Sequence, residues 1–135
     1  MDFSDFISNA IDQDRGRTLE ITNPFTGERT GMRFTIAGPD SDANRRARLE
    51  MADELAEIAR PDGTVTAEMR EMARINCLAR LVLGWDLKEG GKPIPFEHRH
   101  VVRVLRASSA IQQQVDAFAG DRRNFAPPSP SNGQC

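Results

Sequence analysis

The sequence predicts an α+β fold that is mainly α, in which an N-terminal β-hairpin packs on a bundle of about four helices. Three observations predict it. Residues 18–37 alternate apolar and polar side chains on both sides of a run of turn formers. Four later segments repeat apolar residues at helical spacing, and Ser, Thr or Asp residues that suit helix caps precede most of them. The length of 135 residues suits one domain with an economical core.

Residues 1–16 are predicted to form a helix that docks loosely on the rest of the chain. Apolar residues recur there at i, i+3, i+4, i+7 and i+8, and they are Phe3, Phe6, Ile7, Ala10 and Ile11. Acids crowd the first turns, where the helix dipole favours them. Because so short a helix is marginally stable alone, this segment must dock on the domain or on a partner.

Residues 17–125 are predicted to form a single globular domain that starts with the hairpin at 18–37. The stretches "TLEIT" and "MRFTI" form its strands, and "NPFTGERTG" forms its tip. Each strand offers one apolar face, and a two-stranded hairpin needs a cover to be stable. Helices should therefore pack on it.

Four helices are predicted at about 41–60, 66–84, 96–106 and 109–123. Three of them have candidate caps: the first begins near Asp40 or Ser41, the second near Thr64 or Thr66, and the fourth near Ser108 or Ser109. The helix at 66–84 is apolar on more than one side, so it should lie at the centre of the core. The stretch "DLKEGGKPIP" is predicted to be a loop, and the tail at 126–135 is predicted to be disordered.

Charge and cysteine content exclude several classes of protein. The net charge is −2, and arginines alternate with acids through the middle of the chain, which argues against a nucleic-acid partner. The two cysteines, Cys77 and Cys135, do not form a disulfide framework. The acidic start differs from a secretory signal, and no segment is apolar enough to span a membrane. We therefore expect a soluble cytoplasmic protein with no membrane partner.

No residue pattern indicates catalysis, a cofactor or a metal. The Asp40-Ser41-Asp42 turn is not followed by the further ligands of a calcium loop, so a role in capping is favoured. His98 and His100 have no second pair of ligands at zinc spacing. Cys77 lies among apolar residues, as an inert core thiol does. The sequence therefore predicts a protein that is not an enzyme, with no catalytic residue, no cofactor and no metal.

Binding to another protein remains as the class of function that fits. Trp85, predicted at a helix end, is either a core anchor or a partner contact, with the core favoured. Phe125 follows two arginines just before the predicted tail, and either packs back on the domain or anchors a partner.

Several short motifs are spread over most of residues 17–125, in the stretches "LEITNPFTGERTGMRFTIAGPDSDANRRAR", "LARLVLGWDLKEGGKPIPFEHRHVVRVLR" and "QQQVDAFAGDRRNF". Their residues are Thr26, Gly27, Glu28, Gly38, Asp40, Ser41, Trp85, Gly91, Pro93, Pro95, Phe96, Asp121, Arg122, Asn124 and Phe125. In this order the motifs resemble a family of small proteins of tailed bacteriophages and prophages called tail assembly chaperones. One residue departs from the family pattern, since Glu97 stands where a Thr helix cap is expected.

The resemblance implies an assembly factor of the host cytoplasm that is absent from the mature virion. Such a chaperone binds the tape measure protein, keeps its apolar helices soluble and passes it to tail tube subunits during virion assembly. The implied partner-binding residues lie in a groove beside the N-terminal segment, and with the two aromatic candidates they are Phe3, Phe6, Ile7, Ile11, Met69, Met72, Trp85 and Phe125. The alternative is a minor structural protein of the virion, in the tail or at the head–tail joint. A DNA-binding regulator that uses Arg45, Arg46 and Arg48 ranks third.

Overall fold

The computed structural model describes residues 1–127. In chain order the elements are α1 (Phe3–Arg15), β1 (Arg17–Thr22), β2 (Arg29–Ile36), α2 (Asp42–Ile58), α3 (Ala67–Leu81), β3 (Val82–Asp86), β4 (Lys88–Glu89), β5 (Lys92–Pro93), α4 (His98–Ala107), α5 (Ser109–Gly120) and a 3₁₀ turn (Arg122–Phe125). A mainly α fold with a smaller β part is thus confirmed. The prediction of an N-terminal hairpin is not confirmed, because helix α1 precedes the strands.

The hairpin strands belong to a three-stranded antiparallel sheet in the order β1-β2-β3. Phe34 of the central strand pairs with Leu19 on one side and with Trp85 on the other. The predicted C-terminal end of the helix at 66–84 is therefore wrong, since α3 stops at Leu81 and the chain continues directly as β3. The turn into the strand is fixed by the Ala37 amide, which donates to the Leu81 carbonyl at 2.9 Å.

The predicted loop "DLKEGGKPIP" contains the short hairpin of β4 and β5. Gly90 and Gly91 form its tip with φ angles of 59° and 80°, a region that glycine enters without a steric penalty. The Trp85 indole Nε1 donates to the Ile94 carbonyl at 2.9 Å, which ties the hairpin to the sheet.

The hydrophobic core lies between the inner face of the sheet and helices α3, α4 and α5. Its members include Ile21, Phe34, Ile36, Ile75, Leu78, Leu81, Val101, Leu105, Val115, Ala119 and Phe125. Helix α2 adds Ala47 and packs along α3, where Arg80 pairs with Glu50 at 2.8 Å and with Glu54. Helix α1 adds no apolar side chain to this core, because its only buried residue is Gln13.

The helix ends follow capping chemistry. The side-chain hydroxyls of Ser41, Thr66 and Ser108 each accept from the backbone amide three residues further on, at 3.0, 3.0 and 3.2 Å. Of the two candidates predicted for each of these helices, these residues are therefore the caps. Helix α4 begins after Glu97 with no side-chain cap, as the departure from the family pattern suggests. Helix α5 ends at Gly120, short of the predicted residue 123, and the 3₁₀ turn follows. From residue 128 onward, the predicted disordered tail lies outside the described residues.

Candidate protein-binding surface

Helix α1 carries an apolar surface that the rest of the described chain does not cover. Asp2 and Asp5 start the helix with a capping box, which fixes its first turn. The exposed fractions are 77% for Phe3, 63% for Phe6, 45% for Ile7 and 57% for Ile11. We call these four residues the apolar stripe. Large apolar side chains that are grouped and exposed in this way mark interaction sites more often than singly exposed ones do.

The stripe is exposed because α1 is held to the domain by polar groups. The buried Gln13 side chain accepts from the Asp40 amide at 2.8 Å through Oε1, and its Nε2 donates to Asn9 at 2.8 Å and to the Asp40 carboxylate at 3.1 Å. The Gly38 amide donates to the Gln13 carbonyl at 3.1 Å. A buried amide with its donors and acceptors paired fixes one orientation of the helix.

Gly38 makes this close approach possible. A Cβ at that position would lie 2.8 Å from Cδ of Gln13 and closer still to its Oε1. No real Cβ tolerates such contacts, so any other residue at position 38 would push the Gln13 amide out of its site. Glycine is therefore needed at position 38, because only a residue without a side chain leaves room for Gln13 when α1 is docked.

The C-terminal turn closes the other side of this junction. Arg122 donates to both oxygens of Asp40, at 2.6 and 2.8 Å, and the Asn9 amide donates to the Phe125 carbonyl at 2.9 Å. The hydrogen bond from Arg122, followed by that from Gln13, holds the pKa of Asp40 below its ordinary value. Asp40 thus joins two segments that are 109 residues apart in sequence, from Gln13 to Arg122.

Asp14 attaches the end of α1 to the start of α2. Its carboxylate accepts from the amides of Ala43 at 2.9 Å and Asp42 at 3.2 Å, which are free donors in the first turn of a helix. We call Asn9, Gln13, Asp14, Asp40 and Arg122 the polar latch. The latch replaces the loose docking expected for residues 1–16 with a defined position.

A groove of about 1280 Å³ runs between α1 and the end of the 3₁₀ turn. Apolar groups from Met1, Phe6, Ile11, Ala126 and Pro127 line it. Charged groups line it as well, and they are Asp5, Asp12, Arg15, Asp40, Arg122 and Arg123. This mixture suits a partner segment with one apolar and one charged face.

The structure does not bring the other predicted site residues to this groove. Met69, 37% exposed, and the half-buried Met72 lie in the first turns of α3. The other end of α3 meets the Ala37 segment beside the latch, so these methionines lie at the far end of the helix. The stripe and the methionines therefore do not form the single groove that the resemblance implied.

The two aromatic candidates pack on the domain, Trp85 half-buried at the edge of the core and Phe125 inside it. Trp85 lies on β3, not at a helix end, and its ring makes edge contacts with Phe34 at 5.7 Å and Phe96 at 5.5 Å. Phe125 is fully buried and packs on Phe118 with ring centres 5.4 Å apart. Phe125 was predicted either to pack on the domain or to anchor a partner, and its burial supports packing on the domain.

The described residues hold neither a grouped set of metal ligands nor an activated thiol. Within residues 1–127, no three His, Cys, Asp or Glu side chains are grouped so as to hold a metal ion. Burial raises the pKa of the Cys77 thiol, which disfavours the reactive thiolate at neutral pH. None of the helices described has the length and apolar character needed to cross a membrane.

Sequence reasoning missed the polar latch. Asp40 and Arg122 are among the residues that carry the resemblance, but no pattern in the sequence indicates that they contact each other or Gln13. The available signal was the spacing of Asn9 and Gln13, which are four residues apart on the flank of an amphipathic helix.

Comparison of the chain with protein-family models, with curated proteins and with solved structures gave no significant match.

Proposed function

We propose that the protein is a tail assembly chaperone of a bacteriophage or prophage, which binds tape measure helices and assists assembly of the tail tube. The observation that carries the proposal is the apolar stripe, held outward on α1 by the polar latch. A chaperone of this kind binds a client before assembly and lowers the concentration of its free, aggregation-prone form. In this proposal the protein works in the host cytoplasm and is absent from the finished particle.

The size of the stripe suits reversible binding of one amphipathic helix. Burial of a large apolar side chain contributes about 1.5–3 kcal/mol when it starts fully exposed, and these four start between 45% and 77% exposed. Association itself costs about 4–15 kcal/mol in lost freedom of motion. A net affinity of modest size follows, and a factor that passes its client to tube subunits needs to release it.

The rigid position of α1 also favours binding of a client helix. A helix that had to order itself on binding would lose part of the interaction energy to conformational entropy. Here the capping box and the latch fix both ends of α1 before any client arrives. The client helix then needs to order only its own chain.

Co-expression with the tape measure protein of the same genome tests the proposal. We expect the wild-type protein to raise the soluble fraction of the tape measure protein and to co-purify with it. The Phe3→Ser/Phe6→Ser double variant should lose both effects while its unfolding free energy stays unchanged. Phe25→Ser is the matched control, because Phe25 is 93% exposed but lies at the hairpin tip, outside the stripe.

Two outcomes would contradict the proposal. One is that the tape measure protein neither gains solubility nor co-purifies with the wild-type chain. The other is detection of the protein at a fixed copy number in purified particles by mass spectrometry, which would favour the alternative of a minor structural component.

A further inference from the structure

A second uncovered surface lies on helix α4. Arg99, Arg103 and Arg106 occupy positions i, i+4 and i+7, so they form one exposed row along the helix. With Val102 and Ala107 they line a shallow groove of about 390 Å³. We call this row the basic ridge.

The basic ridge keeps an excess of positive charge. Residues 87–107 hold five bases and two acids, in a chain whose net charge is −2. Arg103 approaches Glu89 at 3.2 Å and Arg99 approaches Glu97 at 2.8 Å, but both pairs are exposed and contribute little. Arg106 has no carboxylate partner among residues 1–127. The ridge is thus free to bind an acidic group from outside.

Helix α1 has the complementary charge. Residues 1–14 hold four acids and no base. Asp12 pairs with Arg17 and Asp14 caps α2. Asp2 and Asp5 form the capping box of α1, pair with no base among the described residues, and stand in the exposed turn that also carries Phe3 and Phe6. Carboxylates pair with arginine side chains, and aromatic rings stack on them. The start of α1 therefore matches the basic ridge in both respects.

The two surfaces do not meet within one copy of the protein. The polar latch holds α1 against the start of α2 and the C-terminal turn. Among the described residues, no hydrogen bond or ion pair connects α1 with α4. A contact between them thus requires a second copy of the chain.

We propose that the start of α1 from one copy docks on the basic ridge of the next copy. Phe6 would cover Val102 between the arginines, while Asp2 and Asp5 would pair with guanidinium groups. Because the two surfaces differ, the contact is heterologous, and successive copies form a chain or a closed ring. Client binding to the same stripe would compete with it, but the self-association needs no client and stands apart from the proposed function.

Sedimentation velocity on the purified protein alone tests this self-association. We expect the average mass to rise above the 15.0 kDa of one chain as the concentration increases, and to return towards it at high salt. Arg103→Glu/Arg106→Glu should weaken the association by at least about tenfold. Arg60→Glu/Arg70→Glu is the matched control, since both arginines are exposed elsewhere and the charge change is equal.

A mixing experiment identifies the geometry. Phe3→Ser/Phe6→Ser keeps the ridge but loses the stripe, and Arg103→Glu/Arg106→Glu keeps the stripe but loses the ridge. Each variant alone should remain at one chain mass, whereas the mixture should form a complex of two chains that cannot extend. Circular dichroism of both variants confirms that each is folded, so that a negative mixing result can be interpreted.

Three results would overturn the proposal. The first is a wild-type protein that stays monomeric at every concentration. The second is an oligomer that the ridge variant leaves intact, which would indicate pairing of α1 with α1. The third is a wild-type monomer that binds duplex DNA through Arg103 and Arg106, which would assign the ridge to nucleic acid. None of these results depends on the tape measure protein.

Discussion

The polar latch makes a sharp prediction about Gly38. In Gly38→Ala the new methyl group would lie 2.8 Å from Cδ and 2.9 Å from Cβ of Gln13, and closer still to Oε1. The backbone at Gly38 has no positive φ, so alanine itself meets no conformational penalty there. The effect of this substitution should therefore come from displacement of Gln13, both of its amide and, because its Cβ moves only with the backbone, of the end of α1.

The expected cost follows from the hydrogen bonds that Gln13 would lose. Displacement breaks its bonds with the Asp40 amide, the Asp40 carboxylate and Asn9. Each such bond contributes about 0.5–1.5 kcal/mol net. Alanine also lowers the conformational entropy of the unfolded chain, which stabilises the folded variant by about 0.4–1 kcal/mol and offsets part of this loss. We expect the unfolding free energy to fall by about 0.5–4 kcal/mol, with α1 losing protection first.

Urea denaturation followed by circular dichroism measures this change, and hydrogen exchange reports α1 separately. Gly120→Ala is the control, because no atom lies within 4 Å of its added methyl group, and it should be neutral or slightly stabilising. Gln13→Ala in the Gly38→Ala background should add less than it costs alone, since the same contacts are lost once. The reasoning would be refuted if the double variant lost as much stability as the two single variants together, to within about 0.5 kcal/mol. An unchanged stability of Gly38→Ala would refute it as well.

Three further predictions concern other contacts. Because the pKa of Asp40 is held low in the folded state, its contribution is present above the ordinary value of 3.8 and is lost as the pH falls through the folded pKa. Asp40→Asn should flatten that acid-side loss in urea titrations at several pH values, and an unchanged slope would contradict the role of Arg122. Trp85→Phe removes the bond to the Ile94 carbonyl, so stability should fall by about 1–2 kcal/mol, and an unchanged urea midpoint would contradict it. Phe125→Ala should cost about 3–5 kcal/mol in the same assay, because the ring is fully buried, whereas a loss below about 1 kcal/mol would indicate an exposed anchor.

Strand β3 shows why local pattern alone misplaced the end of α3. Apolar residues continue at helical spacing through Val82 and Trp85, so their spacing does not show where the helix ends and the strand begins. Val82 and Trp85 also suit a strand, and Gly84 disfavours a helix. What decided the outcome was the free edge of β2, which pairs Phe34 with Trp85 and Ile36 with Val82. That edge exists only once the hairpin has formed.

The docking of α1 was beyond sequence reasoning for a related reason. Periodicity identifies an apolar face, and the usual inference is that this face packs inward. In this protein the face stays exposed and the flank with Asn9 and Gln13 docks instead. The partners of that flank are Gly38, Asp40 and Phe125, which are distant in sequence.

By itself the sequence determined the existence of the helices, the two strands of the hairpin, the choice of cap to within one or two residues and the apolar stripe on α1. These features depend on side chains a few residues apart, so local spacing and capping chemistry are enough to specify them. Only the tertiary structure decided the third strand, the burial of Phe125, the separation of Met69 and Met72 from the stripe, and the side of α1 that faces solvent. Those outcomes depend on which distant groups can satisfy a buried amide or a free strand edge, and no local pattern carries that information.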